Sequence, residues 1–415
     1  MISVALMGHG VVGSGVAEIL LSHKQKLFTS LGEEISLKHV LDLREFPDSP
    51  YADCFTKDFE VIIADRDVRV VIETMGGINP AYEFTKRCLK EGKSVVTSNK
   101  ELVARHGAEL LAIAKENNAN YLFEASVGGG IPILRPINQC LVANNADEIA
   151  GILNGTTNFI LTKMINENMP FDEALKLAQD LGYAERNPEA DVEGHDACRK
   201  ICILASLAYG KHVYPDNVHT EGITKITLED VEYAAIWGGV IKLIGSCKLM
   251  SDGMMDIVVA PMFVPCTSQL ANINDVFNGI MVRGDNVGDV VFYGKGAGKL
   301  PTASAVVADV VDCCKHLKSR KYLFWNDSTE ECVADYKLSQ TNVYIRVLAD
   351  DADAAYNKAQ EFFGDITKLT KADAPAGELA FVTNNALPYG DIMNATDAFE
   401  QSGMKVLSCI RIGNL

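Results

Sequence analysis

The chain reads as α/β. It predicts a doubly wound parallel sheet first, then an α+β domain on a largely antiparallel sheet, then a small C-terminal βαββαβ unit. Three observations carry this. The apolar run Ile2–Met7 passes directly into "GHGVVG" and the helical "VAEILL", the strand, glycine turn and helix that open a Rossmann-type dinucleotide fold. Strand and helix patterns then alternate to about residue 126, which predicts a parallel sheet covered on both faces. The alternation breaks at "VGGGIPILRPI" and gives way to mixed order.

After the first helix, residues 22–34 read as an inserted polar loop and "EISLKHVLD" as the second strand. "EVIIAD" is a short strand or helix piece, and "VRVVIETMGG" is a strand. "PAYEFTKRCLKEG" is a helix, with Pro80 near its first turn and Gly92 past its end. "KSVVTSN", "KELVARHGAELLAIAKENN" and "ANYLFEAS" follow as strand, helix and strand. The middle region predicts a strand at 148–153 and helices near 156–167, 171–181, 195–209 and 228–236. Its later strands are "VIKLIGSCKLM", "MDIVVAPMFV", "NGIMVRG" and "DVVFYG". "GKGAGKLPTASAVVADVVDCCKH" is a second glycine turn feeding a helix, with Pro301 at its start. "WNDSTEECVADYK" reads as a polar linker, and the βαββαβ unit occupies about 340–415.

A formal net charge of -17 argues against a nucleic-acid partner, which needs clustered Lys and Arg. Eleven cysteines, an odd number with no CxxC, point to reduced thiols rather than a disulfide framework or a zinc site. The start "MISVALMGHG" carries no leader pattern, and no apolar stretch reaches bilayer length. The expectation is a cytoplasmic protein with no membrane partner.

Gly8, Gly10 and Gly13 fit GxGxxG: a tight turn, a close backbone approach to a pyrophosphate, and close helix packing, with Val11 and Val12 opening the helix. Asp42 ends the second strand, where an acid bonds the ribose 2′-OH of NAD; Arg44, two residues on, suits the 2′-phosphate of NADP, with Lys57 as a helper. Each reads equally as a surface charge. Asn99 and Lys100 stand where a strand ends and a helix begins, and a cation there is disfavoured by the helix dipole, which adds weight to a functional role. His9 reads as a turn residue; His106, His195 and His212 read as structural or exposed. Ser126 lies in "ASVGGG" rather than a nucleophile elbow.

"DLGYAERNPEADVEGHDACRK" gathers acids and ends on a lysine that opens the apolar "ICILASLA". Asp196 and Lys200 are spaced i, i+4 and share a helix face, beside the stripe Ile201, Leu204, Ala208. Taken alone, the pair reads evenly as a surface salt bridge or as a partly buried proton-transfer group.

Together, "GHGVVG", "TSNKELVA", "FEASVGGGIPI", "GILNGTTNFIL", "LGYAERNPEADVEGHDACRKICILA" and "YGKGAGKLPTASAVVADV" resemble the homoserine dehydrogenase family over nearly the whole chain. The resemblance is to the monofunctional form. It implies reversible reduction of L-aspartate 4-semialdehyde to L-homoserine with NADPH or NADH, on the route to threonine, isoleucine and methionine. It implies that Glu185, Tyr183 and Asp191 hold the substrate's amino group, that Asp196 holds Lys200, and that Lys200 gives a proton to the aldehyde oxygen as hydride arrives. Lys100 would orient substrate or cofactor, or share the proton transfer. Gly155 and Thr156 would lie beside substrate and nicotinamide. Thr74, Gly76 and Ser98 would join the glycine turn around the cofactor, and Gly298 would close over it. Glu124, with backbone oxygens of Val127, Gly129 and Ile131, matches a sodium site.

The return of the Gly298 loop implies a discontinuous dinucleotide domain, 1–130 with 300–320. A substrate-binding and dimerisation domain at 131–299, a linker at 321–339 and an ACT-like regulatory domain at 340–415 complete the division. The ACT pattern opens its first helix after Pro-Gly, whereas here the text is "LADDADAAYNKAQ". That departure sets support of assembly beside threonine regulation as the tail's role. The expected partners are the small-molecule substrate and a second copy, as a homodimer or dimer-based oligomer. The rival readings are another semialdehyde dehydrogenase of the same layout, which does not need Glu185, Asp196 and Lys200 together, and a non-catalytic dinucleotide sensor.

Overall fold

A computed structural model describes residues 1–320, 323–327 and 331–415. In chain order the elements are β1 (Ile2–Met7), α1 (Val11–Ser22), α2 (Lys24–Leu31), β2 (Ile35–Leu41), β3 (Phe55–Thr56), α3 (Phe59–Ala64), β4 (Val68–Glu73), α4 (Ala81–Lys90), β5 (Ser94–Thr97), α5 (Lys100–Glu116) and β6 (Tyr121–Leu122). There follow β7 (Ala146–Ile152), α6 (Gly155–Glu167), α7 (Phe171–Asp180), α8 (Glu189–Val192), α9 (His195–Tyr209), β8 (His219–Thr220), α10 (Leu228–Trp237), β9 (Gly239–Leu249), β10 (Met255–Pro265), β11 (Phe277–Gly284), β12 (Gly288–Lys295) and α11 (Lys299–Lys315). The last are β13 (Gln340–Leu348), α12 (Ala352–Phe363), β14 (Ile366–Leu369), β15 (Glu378–Thr383), β16 (Leu387–Pro388), α13 (Tyr389–Gln401) and β17 (Lys405–Ile412).

Two compact units emerge. The first comprises Met1–Asn145, Cys202–Pro215 and Phe292–Glu330; the second comprises Ala146–Ile201, Asp216–Val291 and Glu331–Leu415. The first carries a six-stranded sheet, ordered β3-β2-β1-β4-β5-β6 and parallel throughout. Every residue of β1 is buried, as a central parallel strand with both faces covered requires. Register aligns Met7 with Glu73 and Glu73 with Thr97, so the carboxyl ends of β1, β4 and β5 lie level. α1 and α11 pack closely: a Cβ on Gly15 would lie 3.0 Å from Ala303 and Lys299.

Two local expectations are corrected here, and a third, open between strand and helix, is decided. Residues 24–31 form helix α2 rather than a loop, ended by Gly32 at φ 78, whose N–H bonds the Phe28 carbonyl. α2 buries none of its residues, so no apolar stripe marks it in the sequence. "EVIIAD" resolves as helix, because Asp58 caps α3 by accepting the Glu60 N–H. The strand expected in "ANYLFEAS" stops at Leu122: the Glu124 N–H turns to the Asp309 carboxylate instead of a neighbouring strand.

In the polar stretch after α11, Lys321, Tyr322 and residues 328–330 lie outside the described residues. What is described is firmly anchored. Trp325 is 1% exposed, its indole N–H donates to His212 Nδ1 at 2.8 Å, and its ring fills the space a Cβ on Gly107 would need. Cys332 is buried and its carbonyl accepts the Met255 N–H.

The second unit holds a mixed eleven-stranded sheet along β12-β11-β7-β9-β10-β17-β13-β15-β14, with β8 on β10 and β16 on β13. β9 and β10 form a long antiparallel pair from Gly239↔Pro265 to Leu249↔Met255. The C-terminal βαββαβ unit joins that sheet edge to edge, through the parallel pairs Met262↔Arg411 and Phe263↔Ile412. Its own core is Val343, Ile345, Phe363, Phe381, Ile392 and Phe399 with their neighbours. Where Pro-Gly is missing, Asp351 opens α12 by accepting the N–H groups of Asp353 and Ala354.

Trp325→Ala is expected to lower stability by about 3–5 kcal/mol, the cost of emptying a buried aromatic site, read as a fall in the urea midpoint.

Candidate active site

The first unit presents the ends of β1, β4 and β5 to one side. Gly8 has φ +91, and a Cβ there would lie 2.9 Å from Met75 backbone atoms. A Cβ on Gly13 would lie 2.0 Å from the Gly8 carbonyl, so only glycine lets α1 start this close to the turn. The Thr74 hydroxyl donates to the Gly8 carbonyl at 2.8 Å and ties β4 to the turn. Val11 is 69% exposed at the first turn of α1, beside helix N–H groups that suit a pyrophosphate. Gly76 (φ +77), Ser98 and Gly298 (φ +118, preceding α11) belong to the same unit. Asn99 caps α5 through the Leu102 N–H, so Lys100 is its first residue. His9 is a turn residue: its ring meets the Tyr51 hydroxyl and packs against Phe46 and Phe55.

At the end of β2, Asp42 accepts the His9 N–H at 2.8 Å and the Arg44 N–H, Nε and Nη2 groups at 2.9–3.0 Å. These donors hold its carboxyl well below the usual carboxylate range, the Arg44 guanidinium first among them. The Arg44 side chain stays 62% exposed against 9% for Asp42, while Lys57 is engaged by Glu45.

Residues 124–131 make a tight turn. Both carboxylate oxygens of Glu124 are taken by the N–H groups of Ile133, Leu134 and Arg135. A Cβ on Gly128 would lie 2.3 Å from the Ile131 carbonyl, and one on Gly129 2.3 Å from the Gly296 carbonyl. Glycine at 128 and 129 thus lets the Ile131 and Gly296 carbonyls approach this turn closely.

The second unit builds a different chemistry from Leu153 to Lys200. Lys200 and Asp196, one turn apart on α9, form an ion pair at 2.7 Å, with side chains only 9% and 5% exposed. The Lys200 ammonium also donates to the Leu153 carbonyl at 2.7 Å, where β7 ends. Asn154 is the hub. Its side-chain oxygen caps α6 through the Thr157 N–H, and its amide donates to Asp191 at 2.7 Å and Asp196 at 2.9 Å. Thr156 donates to the Tyr183 carbonyl at 2.7 Å, and the half-exposed Tyr183 ring packs on Phe159. Gly155 has no room for a Cβ, which would sit 2.7 Å from the Val276 carbonyl. Glu185 is exposed, and its backbone carbonyl accepts from Gln179.

So Asp191, Asp196, Lys200, Thr156 and Tyr183 come together, with Glu185 close by in sequence. Sequence reasoning missed Asn154, although an Asn before "GTTNFIL" has the form of a helix cap. It also missed Glu73, a buried acid that directly follows the buried apolar run Val70–Ile72.

Residues 132–311 match the family profile described as homoserine dehydrogenase, and residues 8–124 match "Homoserine dehydrogenase, NAD binding domain". A homoserine dehydrogenase of Bacillus subtilis is 44% identical over 322 residues, 76% of this chain and 74% of that one. The chain belongs to the homoserine dehydrogenase family. One from Helicobacter pylori is 38% identical over 359 residues, 86% of this chain and 84% of that one. A solved homoserine dehydrogenase from Thiobacillus denitrificans matches with a TM-score of 0.87 at 31% identity, covering 99% of this chain and 98% of that one. A hyperthermophilic archaeal homoserine dehydrogenase, solved in complex with NADPH, matches at 0.64 and 26% identity, over 75% of this chain and 97% of that one. The chain is an NAD(P)-dependent oxidoreductase that interconverts L-aspartate 4-semialdehyde and L-homoserine. No described helix is long and apolar enough to cross a membrane.

Asn154→Ala is expected to cost about 1 kcal/mol through loss of the α6 cap. It should lower kcat/KM for homoserine by about 100-fold as Asp191 and Asp196 lose their common donor. Steady-state rates and a thermal melt on one preparation separate the two effects.

Proposed function

We propose that Lys200 is the proton donor and acceptor of homoserine dehydrogenase catalysis in this chain. The observation that carries this is a buried ammonium fixed between Asp196 and the Leu153 carbonyl, in a segment otherwise rich in acids. NAD(P), when bound, supplies or takes the hydride. In the reducing direction, Lys200 gives its proton to the aldehyde oxygen as the carbonyl carbon is reduced, and in the oxidising direction it takes the hydroxyl proton back. Asp196 holds the ammonium to one rotamer, and Asn154 holds Asp196. Asp191, fixed by the same amide, acts with Tyr183 and Glu185 on the cationic amino group of the substrate. Gly155 and Thr156 shape the adjoining floor. Lys100 orients substrate or cofactor from the start of α5.

The cofactor assigned is NADP. The Asp42 lone pairs are occupied by Arg44 and His9, so the group presented outward is the guanidinium, a partner for a 2′-phosphate rather than for a ribose hydroxyl. The glycine turn, Thr74, Gly76, Ser98 and Gly298 complete its site. Sodium is assigned to the carbonyls of Val127, Gly129 and Ile131, with Glu124 anchoring their turn through its three N–H partners. The proposal extends to a cytoplasmic homodimer or dimer-based oligomer. It also retains the division into a dinucleotide domain (1–130 with 300–320), a substrate and dimerisation domain (131–299), a linker (321–339) and an ACT-like tail (340–415).

Initial rates of L-homoserine oxidation with NAD and NADP in parallel test this reading, and absence of turnover with both would overturn it. Lys200→Ala is expected to lower kcat by about 100- to 10,000-fold while leaving NADPH affinity intact. Arg44→Ala is expected to raise KM for NADP by about tenfold, the loss of one charge-assisted contact, with little change for NAD.

A further inference from the structure

Glu73 ends β4 and is fully buried. One of its oxygens accepts the Met75 N–H at 2.7 Å and the other accepts the Thr97 hydroxyl. The Gly76 N–H and the Asn99 side chain also act on it. Burial pushes its pKa upward, so the site holds an acid at a cost that an apolar residue after the buried run Val70–Ile72 would avoid.

Both neighbouring loops hang on this group. Met75 is the backbone wall against which Gly8 is moulded, with no room for a side chain between them. The Thr97 oxygen that donates to Glu73 accepts the Asn99 N–H at 2.9 Å. Asn99 in turn donates to the Gly77 carbonyl at 2.6 Å and caps α5, whose first residue is Lys100.

We infer that Glu73 is a positioning residue for the dinucleotide. It holds the Met75–Gly77 loop against the glycine turn and, through Thr97 and Asn99, sets the start of α5 at Lys100. This rests on the dinucleotide reading of the same strand ends.

The test uses the full chain with Glu73→Leu, the near-isosteric Glu73→Gln and Thr97→Val. The readouts are NADPH affinity by fluorescence titration, and KM for NADP and for homoserine. Glu73→Leu is expected to weaken NADPH binding and raise KM for NADP by about tenfold, the cost of orphaning its donors, and to raise KM for homoserine by less, through Lys100. Glu73→Gln should recover most of the loss. If Glu73→Leu does not fold, Thr97→Val carries the test and should weaken NADPH binding about threefold or more. Unchanged NADPH affinity in a folded Glu73→Leu, or in Thr97→Val where that variant carries the test, overturns the inference. Wild-type protein that binds no NADPH overturns the dinucleotide reading, and this inference with it.

Discussion

The second unit is organised around a charge that is expensive to bury. Taking an ammonium and a carboxylate out of water costs several kcal/mol per ion, and their attraction offsets this only where the remaining hydrogen-bonding capacity is met. Lys200 meets this through Asp196 and the Leu153 carbonyl, and Asp196 meets it further through Asn154. Those partners come from the end of β7, the start of α6 and the first turn of α9, while Asn154 also holds Asp191 on α8. Satisfying one ion pair therefore fixes four elements relative to one another. In the proposed reading, the acids around the lysine serve its solvation and substrate recognition together.

The first unit solves a different problem, how backbone can approach a charged ligand closely. Its answer is glycine where strands end level, backed by hydroxyl and carboxyl groups that satisfy the loops from beneath. Asp42 and Arg44 show how position in the sequence understates chemistry. An acid at the end of β2 suggests a ribose contact, but its donors consume it and leave the neighbouring cation to face outward.

Local patterns made much of this legible. The glycine turn and the i, i+4 spacing of Asp196 and Lys200 are short-range facts, and the parallel sheet follows from alternation. Asn154 was hidden because its acceptors lie 37 and 42 residues away, and only the fold, which sets the start of α6 beside α8 and α9, brings them within reach. α2 was hidden because a helix that buries nothing leaves no periodic stripe. Trp325 was hidden by its polar neighbours, since one aromatic anchor makes no pattern. Glu73 was visible as an acid after the apolar run Val70–Ile72, but its meaning needed the register that sets it beside Thr97.

The junction between β10 and β17 bears on how this chain could be shortened. The C-terminal unit adds strands to a sheet that already contains β7, β9 and β10. Cutting the chain before β13 would strip a neighbour from β10, a strand with nine of its eleven residues buried, eight of them in the unbroken run Ile257 to Val264. The result would be an uncovered apolar stretch of sheet edge at Met262 and Phe263, the kind of surface on which chains pair with one another and precipitate. A catalytic fragment made that way would suffer from adhesiveness before any question of regulation arose.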